Sequence, residues 1–193
     1  MTQQRDRRPV VVDYRPDWPG RAAALIAMLT GPLGPMATRI EQIGSTSIPG
    51  LAAKDLVDLQ VSTTDLEAAE RAFDEPLAAL GFTKSPYRQD HVPAGRDDDQ
   101  SLWVKRLWSR RNHSDGDVNL HVRLAGSANE RLALLFRDWF RAHPEAVPAY
   151  AGFKRALAAM SQDIDDYTET KDWVVDLVIA VAEPWASATG WRP

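Results

Sequence analysis

Two short stretches of the chain hold residue types that can do chemistry on phosphate. The first is Gly44-Ser45-Thr46-Ser47, where a short strand-like run with Ile40 and Ile43 apolar ends in glycine and three small hydroxyls. Backbone amides and hydroxyls at such a turn have little steric cover and can donate several hydrogen bonds to phosphate oxygens. The second is Asp58, 13 residues after Ser45, on the polar side of an alternating run. A strand-borne carboxylate beside a phosphate loop can hold Mg²⁺, which neutralises charge developing during phosphoryl or nucleotidyl transfer. Read alone, the turn also fits hydroxyls that merely cap the next segment. The polar face formed by Asp58, Gln60 and Ser62 favours a site. Lys54 suits either a phosphate or plain solvent. Farther on, Asp117, Asn119, His121 and Arg123 share one face of a second alternating run. His121 reads as a cation ligand, a base or a structural histidine, and Arg123 as a phosphate clamp or a sheet-edge charge.

These residues need a sheet to hold them. Leu56 to Val61 alternates, with Val57, Leu59 and Val61 on the apolar side, and predicts a strand. Thr38 to Ile43 predicts another, running into Gly44. Val10 to Tyr14 reads as an entry strand, and Arg21 to Leu29 as a helix ended by Gly31 and Pro32. Thr64 and Glu67 have capping-box spacing ahead of a helix carrying Leu66, Phe73 and Leu77, which Gly81 ends. Thr83 to Gln100 is polar and reads as a long mobile loop. Ser101–Trp108 and Asp117–Leu124 predict an antiparallel hairpin. Ser127 and Glu130 repeat the capping spacing, and three helical patterns follow, the last over Trp173 to Val181. The seven tryptophans read as core.

Composition narrows the class. The 193 residues are 44% apolar and 26% charged, an ordinary globular balance. Lys and Arg total 23 against 27 for Asp and Glu, a net charge of −4 that argues against a nucleic-acid partner. The absence of cysteine excludes disulfides, thiolate metal sites and Cys nucleophiles. The start MTQQRDRRPVVV lacks a leader's apolar run, and no apolar stretch is long enough to span a membrane. The expectation is a cytoplasmic protein. Ser45 lacks the Gly-x-Ser-x-Gly elbow of a serine hydrolase. His113, Asp115 and Asp117 match no metal-ligand spacing, and the run Asp97 to Asp99 reads as a solvated loop. Lys154 and Lys171 have acidic neighbours and read as surface ion pairs.

The run IEQIGSTSIPGLAAKDLVDLQV resembles the signature of the GrpB-like family, which is similar in fold to the polymerase-β-type nucleotidyltransferases. YRPDWP, NLHVR, FRDWFRAHPE, YAGFKRALA and Tyr167 with Lys171 fall in the family's order, so the resemblance spans roughly 170 residues. It implies an α+β fold: a nucleotidyltransferase-like mixed β-sheet with flanking helices and a helical C-terminal third. A single domain over 1–193 is expected, with the sheet in 1–125 and helices in 126–193. The implied activity is a transferase taking a nucleoside triphosphate, or similar phosphorylated donor, with Mg²⁺. In that reading Gly44, Ser45, Thr46 and Ser47 cradle phosphates, and Lys54 and Arg123 balance charge. Asp58 and His121 are the catalytic and metal-binding residues. Loop 83–100 covers a small-molecule acceptor through Tyr87 and Arg88.

The chain departs from that pattern in places. The second carboxylate position falls on Gln60, and the third falls within Asp117 to His121. Asp55 stands where the family often has proline, and Gln42 where many members have histidine. A single-metal transferase therefore stands beside a degenerate fold that binds a phospholigand or a protein partner as a folding aid or regulator. A nucleotidyltransferase modifying protein or tRNA is disfavoured by the lack of a basic patch. Some family members are joined to dephospho-CoA kinase, but this sequence has no P-loop, so kinase activity is not implied.

Overall fold

β2 (Leu56–Thr63) and β5 (Asp117–Leu124) lie parallel at the middle of a five-stranded sheet. β1 (Arg39–Ile43) flanks β2 antiparallel, while β4 (Lys105–Arg110) and β3 (Thr83–Lys84) extend the other edge, each antiparallel to its neighbour. The order is β1-β2-β5-β4-β3, a mixed sheet in an α+β chain. The computed structural model describes residues 8–193; residues 1–7, most of the start read as lacking a leader, lie outside it.

The period-2 alternation decides what each face meets. Val57, Leu59, Val61, Val118, Leu120 and Val122 point one way and pack on α1 (Trp18–Leu33) and α2 (Leu66–Ala79). The opposite face carries Asp58, Gln60 and Ser62 beside Asn119, His121 and Arg123, their register partners. A second core lies beyond that polar face, built from Ile48, Leu51, α3 (Ala128–Ala142), α4 (Val147–Met160) and α5 (Ile164–Thr189). All five strands end by Leu124, and the three helices follow, as the sequence pattern predicts. Among the described residues, no helix is long and apolar enough to cross a membrane.

Several local expectations are corrected. Val10 to Tyr14 contributes only an isolated bridge, Val12 to Ala53. α1 continues through Gly31 and Pro32, because the bond Pro32 lacks falls in a last turn that Gly34 closes at φ 56°. α2 is capped by Asp65 rather than Thr64: its carboxylate accepts from the N–H groups of Glu67 and Ala68, both at 2.9 Å. Ser127 caps α3 as expected, but Glu130 turns into the sheet, where it meets Arg39, Ser62 and the N–H of Gly126. The first hairpin strand starts at Lys105, after a 3₁₀ turn over Gln100–Trp103. α5 begins nine residues before Trp173, at Ile164. Trp18, Trp103 and Trp108 are core, whereas Trp173 is 66% exposed.

Segment 83–100 is also not a free loop. Thr83 and Lys84 form β3, Gln89 bridges to Val104, and Asp90 is tied into the polar face by four hydrogen bonds. Arg88 forms a fork with Glu70 of α2, at 3.0 and 2.6 Å, instead of facing an acceptor pocket. Tyr87 is exposed.

Candidate functional site

β1 and β2 bring Gly44 and Asp58 to one corner. Ile43 lies opposite Asp58 in the register, and the next residue turns beside the carboxylate. A methyl group on Gly44 would lie 2.6 Å from Oδ2 of Asp58, and the backbone there has φ +70°. Only glycine meets both conditions. Gly44→Ala is therefore expected to displace the Asp58 carboxylate and to cost about 1–3 kcal/mol from backbone strain. Thermal melts and ligand titration check it; wild-type values in both would refute the close approach.

Asp58 has one oxygen engaged and one open. Oδ1 accepts from Nδ2 of Asn119 at 2.9 Å and lies 3.5 Å from Nε2 of His121. Oδ2 accepts no hydrogen bond among the described residues. Burial opposes ionisation of Asp58, but His121, Asn119 and Lys54 outweigh it and hold the carboxyl below its usual range. Asn119 is itself gripped by Arg111 through Oδ1, so Arg111 positions Asp58 through one intermediary. His121 is pushed down by burial and by the charges of Arg123 and Lys105, against the pull of Asp58. Its imidazole is uncharged at neutral pH and able to take a proton or bind a cation.

The hydroxyls of the turn divide by role. Thr46 and Ser47 are buried and brace the backbone, donating to the carbonyls of Leu56 at 3.1 Å and Gly44 at 2.6 Å. Ser45 alone of the three has a side chain without a hydrogen-bond partner among the described residues. Asp55 faces away from Asp58 and binds Arg15, Arg21 and Nε1 of Trp18, so it does not replace a missing carboxylate.

Gln60 is 1% exposed and holds the layer together. Its Nε2 donates to the carbonyl of Glu130 at 3.2 Å, and its Oε1 accepts from Nη1 of Arg123. Arg123, expected as a phosphate clamp, is instead 5% exposed and committed to Gln60 and Asp90. That pairing was hidden because Asp90 sits in a stretch with no strand pattern.

Lys54 is the other expected residue the structure brings near Asp58. Burial lowers its pKa while Asp58 raises it. Its Nζ lies 5.3 Å from the centre of the Tyr167 ring. Lys154, read as a surface ion pair, is 2% exposed and donates to the carbonyl of Ala52 at 2.8 Å. Burial, then Lys171 and Lys54, push Lys154 down to about 7. Lys171 is half-buried and, among the described residues, pairs only with its chain neighbour Asp172 at 3.3 Å. The Lys171 and Tyr167 spacing of four on α5 was the legible signal for this cluster.

Among the described residues, no group of three or more His, Asp or Glu side chains is placed to hold a metal ion. One free carboxylate oxygen and one neutral imidazole fit a single divalent cation whose shell is completed by ligand oxygens. They do not fit two cations held between protein carboxylates, because the second position is the engaged amide of Gln60.

This arrangement, a Gly-Ser turn over a strand carboxylate in a mixed sheet with a helical C-terminal part, has the fold class of the nucleotidyltransferases. The structure superimposes on the Cid1 poly(U) polymerase solved with MgGTP bound: TM-score 0.53, 16% identity, 79% of this chain and 45% of that one. The chain belongs to the GrpB family, whose model, described as GrpB protein, matches residues 8–180. The crystal structure of the conserved protein GrpB from Enterococcus faecalis aligns with TM-score 0.72 and 24% identity, over 91% of this chain and 99% of that chain. A protein named dephospho-CoA kinase from Mycolicibacterium paratuberculosis is 35% identical over 212 residues, covering all of this chain but 50% of its own length. The UPF0157 protein YqkA of Bacillus subtilis is 36% identical over 143 residues, 73% of this chain and 38% of that protein. The chain thus spans about half the length of the curated kinase-named relatives, so their name describes them and not this chain.

Proposed function

We propose that the chain binds a nucleoside triphosphate, or a similar phosphorylated donor, at the Gly44 turn and acts as a small-molecule nucleotidyltransferase-like transferase. The observation that supports this most is the open Oδ2 of Asp58 lying against Gly44, the residue that brings a ligand's phosphates to the carboxylate. The backbone at Gly44 and the hydroxyl of Ser45 receive phosphate oxygens, with Thr46 and Ser47 bracing the turn. Lys54 balances phosphate charge. Asp58 holds a single Mg²⁺ with His121 adjacent; when bound, the cation neutralises charge on the phosphates. His121, kept uncharged, accepts the proton of an acceptor hydroxyl. The acidic balance of 23 against 27 fits a small acceptor in the cytoplasm rather than a nucleic acid.

Titration calorimetry with ATP, GTP, CTP and UTP, with and without Mg²⁺, tests the reading. The expected result is magnesium-dependent binding to wild type that is lost in Asp58→Asn. No binding of any nucleotide overturns it.

The engagement of Gln60 by Glu130 and Arg123 favours a second reading, a catalytically inactive fold that retains phospholigand binding or serves a protein partner. Magnesium-dependent turnover of the bound nucleotide separates the two.

A further inference from the structure

Between the polar face of the sheet and the C-terminal helices, three ammonium groups gather; Asp172 pairs with Lys171, while Asp58 and Asp165 act on Lys54 only through space. Lys154 makes one bond, to the carbonyl of Ala52, and no ion pair among the described residues. Lys54 has the Tyr167 ring as its neighbour and no hydrogen-bond acceptor among the described residues. Lys171, one turn along α5 from Tyr167, has only Asp172. The hydroxyl of Tyr167, a residue 1% exposed, is buried and has no hydrogen-bond partner among the described residues. The charge of Lys171 acts on both Lys54 and Lys154, and that of Lys54 acts on Lys154, which places these charges within reach of one another.

A buried cation without an ion pair, here Lys154, and an orphaned buried hydroxyl, here that of Tyr167, are each unfavourable, and native structures rarely keep either without a reason. We propose that Lys54, Lys154, Lys171 and the Tyr167 hydroxyl form an anion seat for a phosphate or short polyphosphate group, filled without a divalent cation. A carboxylate brings a single charge to share among these ammonium groups, whereas a phosphate group carries about two negative charges and a short polyphosphate more. Lysine ammoniums act as point charges and suit a phosphate that presents oxygens in several directions. The hydroxyl adds a donor to one of them. The seat deepens the nucleotide reading above, since Asp58 also acts electrostatically on Lys54 and Lys154.

The test is titration calorimetry with inorganic phosphate, pyrophosphate and tripolyphosphate in EDTA, on wild type, Lys154→Met, Lys171→Met and Tyr167→Phe. Lys84→Met is the control, a lysine bound to Asp74 and Glu70 and distant from the cluster in the fold. Expected is metal-free binding of pyrophosphate or tripolyphosphate, weakened about tenfold or more by either Lys→Met change and less by Tyr167→Phe. Lys84→Met binds as wild type. Lys171 is half-buried, so Lys171→Met keeps the test decisive if Lys154→Met fails to fold. Wild type binding none of these anions at millimolar concentration, or all the variants binding as wild type does, overturns the seat.

The source of the anion is read by competition. A nucleoside triphosphate that displaces tripolyphosphate one for one assigns the seat to a nucleotide tail; simultaneous binding assigns it to a free polyphosphate. Metal-free anion binding with no nucleotide binding keeps the seat and removes the nucleotide reading. Nucleotide binding with no metal-free binding of any of the three anions does the reverse.

Discussion

Asp90→Ala lowers the melting temperature by on the order of 10 °C, the largest loss expected from any single change outside the apolar cores. The Asp90 carboxylate accepts from Nε of Arg123 at 2.8 Å, Nη2 of Arg123 at 3.1 Å, Lys105 and Nδ2 of Asn129 at 3.0 Å. Arg123 and Lys105 are 5% and 8% exposed, so removing Asp90 strands two cations in the protein interior. Breaking a buried pair in this way costs about 3–5 kcal/mol, because the charge left behind is desolvated and unmatched. The ionisation has a definite sign. Burial opposes it, but Arg123 and Lys105 hold the carboxyl far below its ordinary value. Its contribution is therefore present above the unfolded carboxylate pKa of about 4 and is lost as pH falls further. Melting curves from pH 7 to pH 2 check this, and the gap between variant and wild type narrows with acid. A gap of zero at pH 7 would show that segment 83–100 is not fastened by Asp90.

Lys154→Met goes the other way and raises the melting temperature of the ligand-free protein by several degrees near pH 6. A buried cation whose only hydrogen-bond acceptor among the described residues is a carbonyl is replaced by an apolar chain of similar length, a change that is often stabilising by about 1–4 kcal/mol. Leaving the Ala52 carbonyl without its donor offsets about 1 kcal/mol of that gain. Lys54, Lys171 and Asp58 face this ammonium from other elements, and Tyr150 from its own helix. The folded value of about 7 lies below the ordinary lysine value of 10.5, so the unfolded chain binds more protons between these values. Wild-type stability consequently rises with pH across that window, and its penalty is fully present below about pH 7. The variant's advantage is largest in mild acid and closes toward pH 10. Saturating tripolyphosphate narrows the gap at pH 7, stabilising wild type more than the variant. A variant less stable than wild type from pH 6 to 8, with no anion added, would make Lys154 an ordinary structural residue.

These two positions mark where sequence reading stopped. Arg123 was visible as a charge on the polar face of β5, but Asp90 lies 33 residues away in a stretch without periodicity. Lys154 sat among residues of helical spacing with acids nearby, and surface pairing was the natural expectation. Its acceptor at Ala52 is 102 residues away. Gln60 announced a missing carboxylate by type alone; only its contact with Glu130, 70 residues on, shows that the amide has a structural task.

By itself the sequence determined the alternation that makes β2 and β5, the glycine that ends β1, the Ser127 cap and the helical pattern of the C-terminal third, and the family signature. Such features depend on local backbone conformation and on which side chains share a face, and both are written into residue type and spacing. Tertiary structure decided which charges are buried and which partner each one finds. Those outcomes depend on desolvation and on pairings between segments far apart in the chain, and the physics of a buried charge is set by its surroundings rather than by its own identity.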